Sequence, residues 1–112
     1  MSITIYHNPR CSKSRQTLAL LEEKGITPTV IEYLQTPPSA QELDEILTKM
    51  GKSPQDILRH KEAQEEGINI NAERDQLIQA LVDHPRALER PIVVNGDKAA
   101  MGRPPESVLA IL

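Results

Sequence analysis

Ile3-Thr4-Ile5-Tyr6 alternates with a period near two, as a short strand does. His7-Asn8-Pro9-Arg10-Cys11-Ser12 follows as a polar loop, and Pro9, lacking an N–H, prevents a simple continuation of the strand ladder. From Lys13 the spacing of Leu18, Leu20 and Leu21 predicts a helix with one apolar face, stopped at Gly25. Thr29-Val30-Ile31-Glu32-Tyr33-Leu34 reads as a second strand, ended before Pro37-Pro38. Strand, helix and strand in this order predict a βαβ unit with parallel strands and a right-handed crossover.

Ser39 with Glu42 is a capping-box pair, and Leu43, Ile46, Leu47 and Met50 recur at helical spacing before Gly51. Ser53-Pro54 opens a short helix toward Arg59. Residues 60–72 are charged and weakly periodic, a loop or partly helical surface segment in which Glu62, Glu65 and Glu66 form a solvated face. Leu77, Ile78, Leu81 and Val82 mark another helix, ending near His84-Pro85. Pro91-Ile92-Val93-Val94 has the composition of a buried strand, and Asn95-Gly96 predicts a two-residue hairpin into Lys98-Ala99-Ala100-Met101. Gly102-Arg103-Pro104-Pro105 breaks that strand, and Val108, Leu109, Ile111 and Leu112 form a closing apolar helix face. The expected fold class is α/β: a four-stranded mixed sheet flanked by helices, as in the thioredoxin-like fold, with an extra helical insertion at about 39–83. Its 112 residues, 38% of them hydrophobic, suit one domain spanning 1–112 with a core that needs no covalent staples.

Composition removes several function classes. No apolar run approaches the ~18 residues of a membrane span, and the start lacks the basic end, apolar run and cleavage site of a secretory signal. A cytoplasmic location is therefore expected. The net charge of −3 and the absence of Phe and Trp offer nucleic acid neither a field nor a stacking platform. One cysteine builds no disulfide framework and no Cys-rich zinc site, and His7, His60 and His84 are too scattered for a metal.

That cysteine, Cys11, lies between a strand and a helix. There the first helical N–H groups lack intrahelical partners and the positive end of the helix dipole points outward. A thiolate is stabilised in such a place, the more so beside Arg10, Lys13 and Arg15, and the thiolate is the attacking species. The amides of residues 12–15, the Ser12 and Ser14 hydroxyls and a guanidinium would also cradle a tetrahedral oxyanion. Position 14 is Ser, so no Cys-x-x-Cys pair exists, and an external thiol must resolve any adduct on Cys11. A phosphatase of the Cys-x5-Arg kind needs Arg where this chain has Thr17. Arg59, Arg90 and Arg103 stand at the ends of predicted elements, and guanidinium forks suit an oxyanion better than lysines do.

His7-Asn8-Pro9-Arg10-Cys11-Ser12-Lys13-Ser14-Arg15, Leu58-Arg59, Arg90-Pro91-Ile92-Val93-Val94 and Gly102-Arg103-Pro104 together resemble the glutaredoxin-dependent arsenate reductase (ArsC) family, in order and over nearly the whole chain. The resemblance implies a thioredoxin-like fold with cis Pro91 and a cysteine, Cys11, that attacks arsenate. It implies that His7 helps depress the thiol pKa and that Arg59, Arg90 and Arg103 bind the oxyanion. Ser14 joins the catalytic set as a partner of the thiolate, and Arg15 and Asn8 join the substrate-binding set. Glutathione is the expected co-substrate and glutaredoxin the expected partner, with no bound cofactor, metal, nucleic acid or membrane. Two other readings stand beside this one: a glutaredoxin-like monothiol oxidoreductase acting on glutathionylated substrates, and an Spx-like regulatory module, whose relatives commonly carry Cys where this chain has Ser14.

Overall fold

The computed structural model describes residues 2–112. Four strands, β1 (Ile3–His7), β2 (Thr29–Glu32), β3 (Ile92–Asn95) and β4 (Lys98–Met101), form one mixed sheet in the order β2-β1-β3-β4. β1 and β2 run parallel, and β1/β3 and β3/β4 are antiparallel. Helix α1 (Ser12–Glu23) is the crossover between β1 and β2, and a 3-10 helix, Pro105–Ile111, closes the chain. The sheet packs Ile5 and Val93 against Leu21 of α1 and Val108, all four fully buried. Burying such side chains stabilises the fold by roughly 1.5–3 kcal/mol each, enough to fix α1 on the sheet.

The chain divides into two compact units. One ends at Thr36 and resumes at Arg90 to carry the sheet, α1 and the terminal 3-10 helix; the other is Pro37–Glu89. The second unit holds α2 (Ala40–Met50), α3 (His60–Glu65) and α4 (Arg74–Asp83), with 3-10 turns at Pro54–Ile57 and Pro85–Ala87. Its apolar positions Leu43, Leu47, Leu77 and Leu81 are buried. The capping box at α2 is formed as expected, Glu42 N–H donating to Ser39 Oγ at 3.1 Å and Ser39 N–H to Glu42 Oε1 at 2.9 Å.

Several sequence expectations shift. β2 stops at Glu32 because the carbonyl of Glu32 accepts from the N–H groups of Gln35 and Thr36, which turns the chain before Leu34. In the hairpin, Asn95 pairs with Lys98, so the two turn residues are Gly96 and Asp97. Gly96 alone has positive φ (62°), which fits a turn with Gly first rather than one needing left-handed backbone at both positions. Residues 60–65 are helical, and the acidic face, with Glu65 exposed and Glu62 and Glu66 part-buried, is also paired: Glu65 and Glu66 lie against Arg86, and Glu62 against Arg59. The closing helix is 3-10, whose three-residue period stacks Val108 over Ile111 on the core side.

Candidate active site

The sheet register brings three distant parts of the chain to one end of the first unit. Tyr6 pairs with Ile92, and Ile92 with Met101, as the last cross-strand row. Just beyond it lie His7 and the loop to Cys11, the cis Arg90–Pro91 peptide, and Gly102 with Arg103. Gly102 N–H donates to the Pro91 carbonyl at 2.9 Å, which extends the ladder one step past the strand ends.

The loop from His7 to Cys11 is held by its own hydrogen bonds. Asn8 Oδ1 accepts from Arg10 N–H at 3.0 Å, an Asx-type turn. Its carbonyl accepts from Cys11 N–H at 3.0 Å. Arg15 Nη1 donates to the Pro9 carbonyl at 3.0 Å, tying the loop to the first turn of α1. Asn8 and Arg15, expected at the substrate, are thus seen shaping the loop that carries the cysteine.

Cys11 occupies the N-cap position of α1 in extended backbone conformation, φ −92° and ψ 124°. Its side chain closes no capping hydrogen bond, yet the N–H groups of the first turn face the sulfur. Burial pushes the thiol pKa up, and it is outweighed by the Ser14 N–H, a hydrogen bond from Arg90, the Lys13 N–H and the Arg90 charge. The net result lies below the ordinary thiol value. Arg103 approaches from the other side, its Nη1 3.9 Å from Sγ and 3.0 Å from the Arg90 carbonyl it donates to. Two guanidinium groups from separate strand ends therefore meet one sulfur, the arrangement in which a polyvalent anion is attracted and the thiolate form of a nucleophile is favoured.

His7 and Ser14 sit beneath this surface. His7 Nδ1 lies 2.5 Å from Ser14 Oγ, and Asn8 N–H donates to the same oxygen at 3.0 Å. The Ser14 hydroxyl thus joins the His7 ring to the Asn8 main chain. Burial lowers the His7 pKa, Arg15 adding to the effect and Glu32, its register partner on β2, opposing it. The ring is neutral at neutral pH. It holds Ser14, whose main-chain N–H faces the sulfur, and brings no positive charge of its own; the Ser14 hydroxyl is engaged with His7 and Asn8 rather than with the thiolate.

Arg59 belongs to the second unit. Its Nε donates to Glu62 at 2.8 Å and its Nη1 to Glu89 at 2.7 Å. Burial lowers its pKa, and the two carboxylates more than reverse that, so the group stays firmly protonated. Among the described residues, no group of three or more His, Cys, Asp or Glu side chains gathers to hold a metal. No helix among them is long and apolar enough to cross a membrane.

Two participants escaped the sequence reading. Thr17, noticed only for not being Arg, is fully buried and donates to the Lys13 carbonyl at 2.8 Å. Gly102, read as a strand breaker, leaves no room for a side chain: a Cβ there would collide with Thr17 Oγ1 and come within 2.8 Å of the Pro91 ring. The only sequence signal for either was the Gly beside Arg103-Pro104.

Comparison with known proteins finds similar chains along the whole length. Residues 6–111 match the model of the ArsC family. The chain is 48% identical over 116 aligned residues to a protein named arsenate reductase from Haemophilus influenzae, covering 100% of both chains. Among solved structures, the arsenate reductase from Vibrio cholerae superposes with a TM-score of 0.93 at 48% identity, covering 100% of this chain and 98% of the other. A putative arsenate reductase from Yersinia pestis gives 0.90 at 51% identity, covering 97% of this chain and 99% of the other.

Proposed function

Because the chain belongs to the ArsC family, we propose that it reduces arsenate to arsenite through Cys11, with glutathione as reductant and glutaredoxin clearing the spent cysteine. The observation that carries this reading is the meeting of Arg90 and Arg103 at a sulfur whose pKa is already lowered. The names of the full-length relatives support the substrate. The lone cysteine supports an external thiol, since no second cysteine exists in the chain to close a disulfide.

The residues divide the work as follows. Arsenate enters as a dianion between the two guanidinium groups, whose charges offset the cost of bringing an anion to a thiolate. Sγ bonds arsenic, and one arsenate oxygen leaves as water, its protons taken from solvent; arsenic is still pentavalent. The glutathione thiolate then attacks Sγ. A sulfur–sulfur bond forms, the sulfur–arsenic bond breaks, and its electron pair stays on arsenic, which departs as trivalent arsenite. Cys11 is left in a mixed disulfide with glutathione, and the glutaredoxin thiol accepts the glutathionyl group and returns the Cys11 thiolate.

An arsenite-release assay with glutathione and glutaredoxin added separately and together tests the reading. Turnover that needs both, and that Cys11→Ser abolishes, supports it. Undiminished turnover by Cys11→Ser refutes it, and exchange with glutathionylated substrates in place of arsenite release points to the monothiol oxidoreductase.

A further inference from the structure

We propose that Thr17 is a positioning residue that sets the Arg103 guanidinium and the helix amides in register around the Cys11 sulfur, a role resting on the reading of Cys11 as the nucleophile. Thr17 lies one and a half turns into α1 and reaches both halves of the site. Its Oγ1 donates to the carbonyl of Lys13, whose own N–H faces Sγ. The same oxygen lies 3.5 Å from the carbonyl of Gly102, the residue that precedes Arg103. Its methyl fills the remaining space: a Cβ built on Gly102 would come within 3.1 Å of Thr17 Cγ2.

Donation of the hydroxyl proton to an i−4 carbonyl is an ordinary habit of helical threonine. What is particular here is the second carbonyl beside that oxygen, a longer contact at 3.5 Å. The Gly102 peptide is pinned on its other side, its N–H donating to Pro91 at 2.9 Å. With Thr17 against its α-carbon and Pro91 against its amide, the Gly102–Arg103 segment has little freedom to slide along α1. Arg103 Nη1 then meets both Sγ and the Arg90 carbonyl. Displacement of a reacting or positioning group by about 1 Å can cost on the order of a hundredfold in rate, so a buried contact of this kind bears on chemistry without touching substrate.

The test uses the purified full chain and two readouts, the pH dependence of iodoacetamide labelling at Cys11 and steady-state arsenate reduction. Thr17→Val keeps the shape and removes the donor. We expect its labelling midpoint to move to higher pH, with labelling at neutral pH slowed about threefold and kcat/KM for arsenate down about tenfold. Thr17→Ser, which keeps the hydroxyl, restores both to within about twofold of the parent, and folded Gly102→Ala shifts the labelling midpoint in the same direction as Thr17→Val. A Thr17→Val protein of lower thermal stability but parental labelling overturns the proposal, because the residue would then be structural only. If Thr17→Val does not fold, Thr17→Ser decides, and a displaced midpoint in that variant overturns it. A shifted labelling midpoint in Thr17→Val, alongside a parent protein that releases no arsenite, supports the positioning role and refutes the arsenate reading.

Discussion

His7 and Ser14 share one short hydrogen bond, Nδ1 to Oγ at 2.5 Å, and both residues are buried below the loop that carries the cysteine. The pair supports Cys11 from behind, since the Ser14 main-chain N–H faces the sulfur. Ser14→Ala removes the partner of the His7 ring and of the Asn8 N–H at once. Leaving buried polar groups unpaired costs about 1–3 kcal/mol, and a urea titration of variant and parent measures it. The alkylation midpoint of Cys11 should move less in this variant than in Arg90→Ala, because the main-chain N–H is retained.

The same pair makes stability sensitive to acid. Burial holds the folded-state pKa of His7 below its ordinary 6.5. As pH falls through that ordinary value the unfolded chain takes up a proton that the folded chain refuses, so unfolding is favoured. The stabilising contribution is complete above the unfolded value and is lost on the way down to the folded one. Urea midpoints measured at about pH 7.5 and about pH 5.5 should therefore fall on acidification, and the fall should be smaller in His7→Gln.

Arg90 and Arg103 should separate in their effects. Arg90 both hydrogen-bonds the sulfur and adds its charge there. Arg90→Ala should raise the thiol pKa and displace the labelling profile to higher pH. Arg103 Nη1 lies 3.9 Å from Sγ and is also engaged with the Arg90 carbonyl. Arg103→Ala should raise KM for arsenate, about tenfold if one charged hydrogen bond to the anion is lost, and displace the labelling profile less than Arg90→Ala does. Steady-state kinetics on both variants at one pH distinguishes the two.

Arg59 offers a contrast within the second unit. Its pairs with Glu62 and Glu89 are only part-buried. Arg59→Ala should lower stability by about 1 kcal/mol, and thermal unfolding reads it. Ser39→Ala, which opens the capping box of α2, should cost a similar ~1 kcal/mol.

Much of the architecture was legible because the chain states it locally. Alternation in Ile3–Tyr6, the Ser39–Glu42 box and the apolar run at Ile92–Val94 each specify an element with little help from tertiary contacts. The sulfur at a strand-to-helix junction was legible for the same reason. The errors fall where a partner far along the chain decides. Whether the second strand continues past Glu32 depends on carbonyl bonds made by Gln35 and Thr36, and the turn residues at Gly96-Asp97 are fixed by which pair the antiparallel ladder closes on. That Glu65 and Glu66 also pair with Arg86, some twenty positions on, is likewise decided by the fold. Thr17 is the extreme case, since its neighbour Gly102 lies 85 residues away and neither residue type signals chemistry.

The pH dependence of Cys11 alkylation in the unmodified protein, followed by mass spectrometry of the labelled peptide, tests the central claim most directly. The account predicts a midpoint below the ~8.5 of an unperturbed cysteine, moving back toward it in Arg90→Ala. A midpoint at or above that value, or one unmoved by removing Arg90, would contradict it.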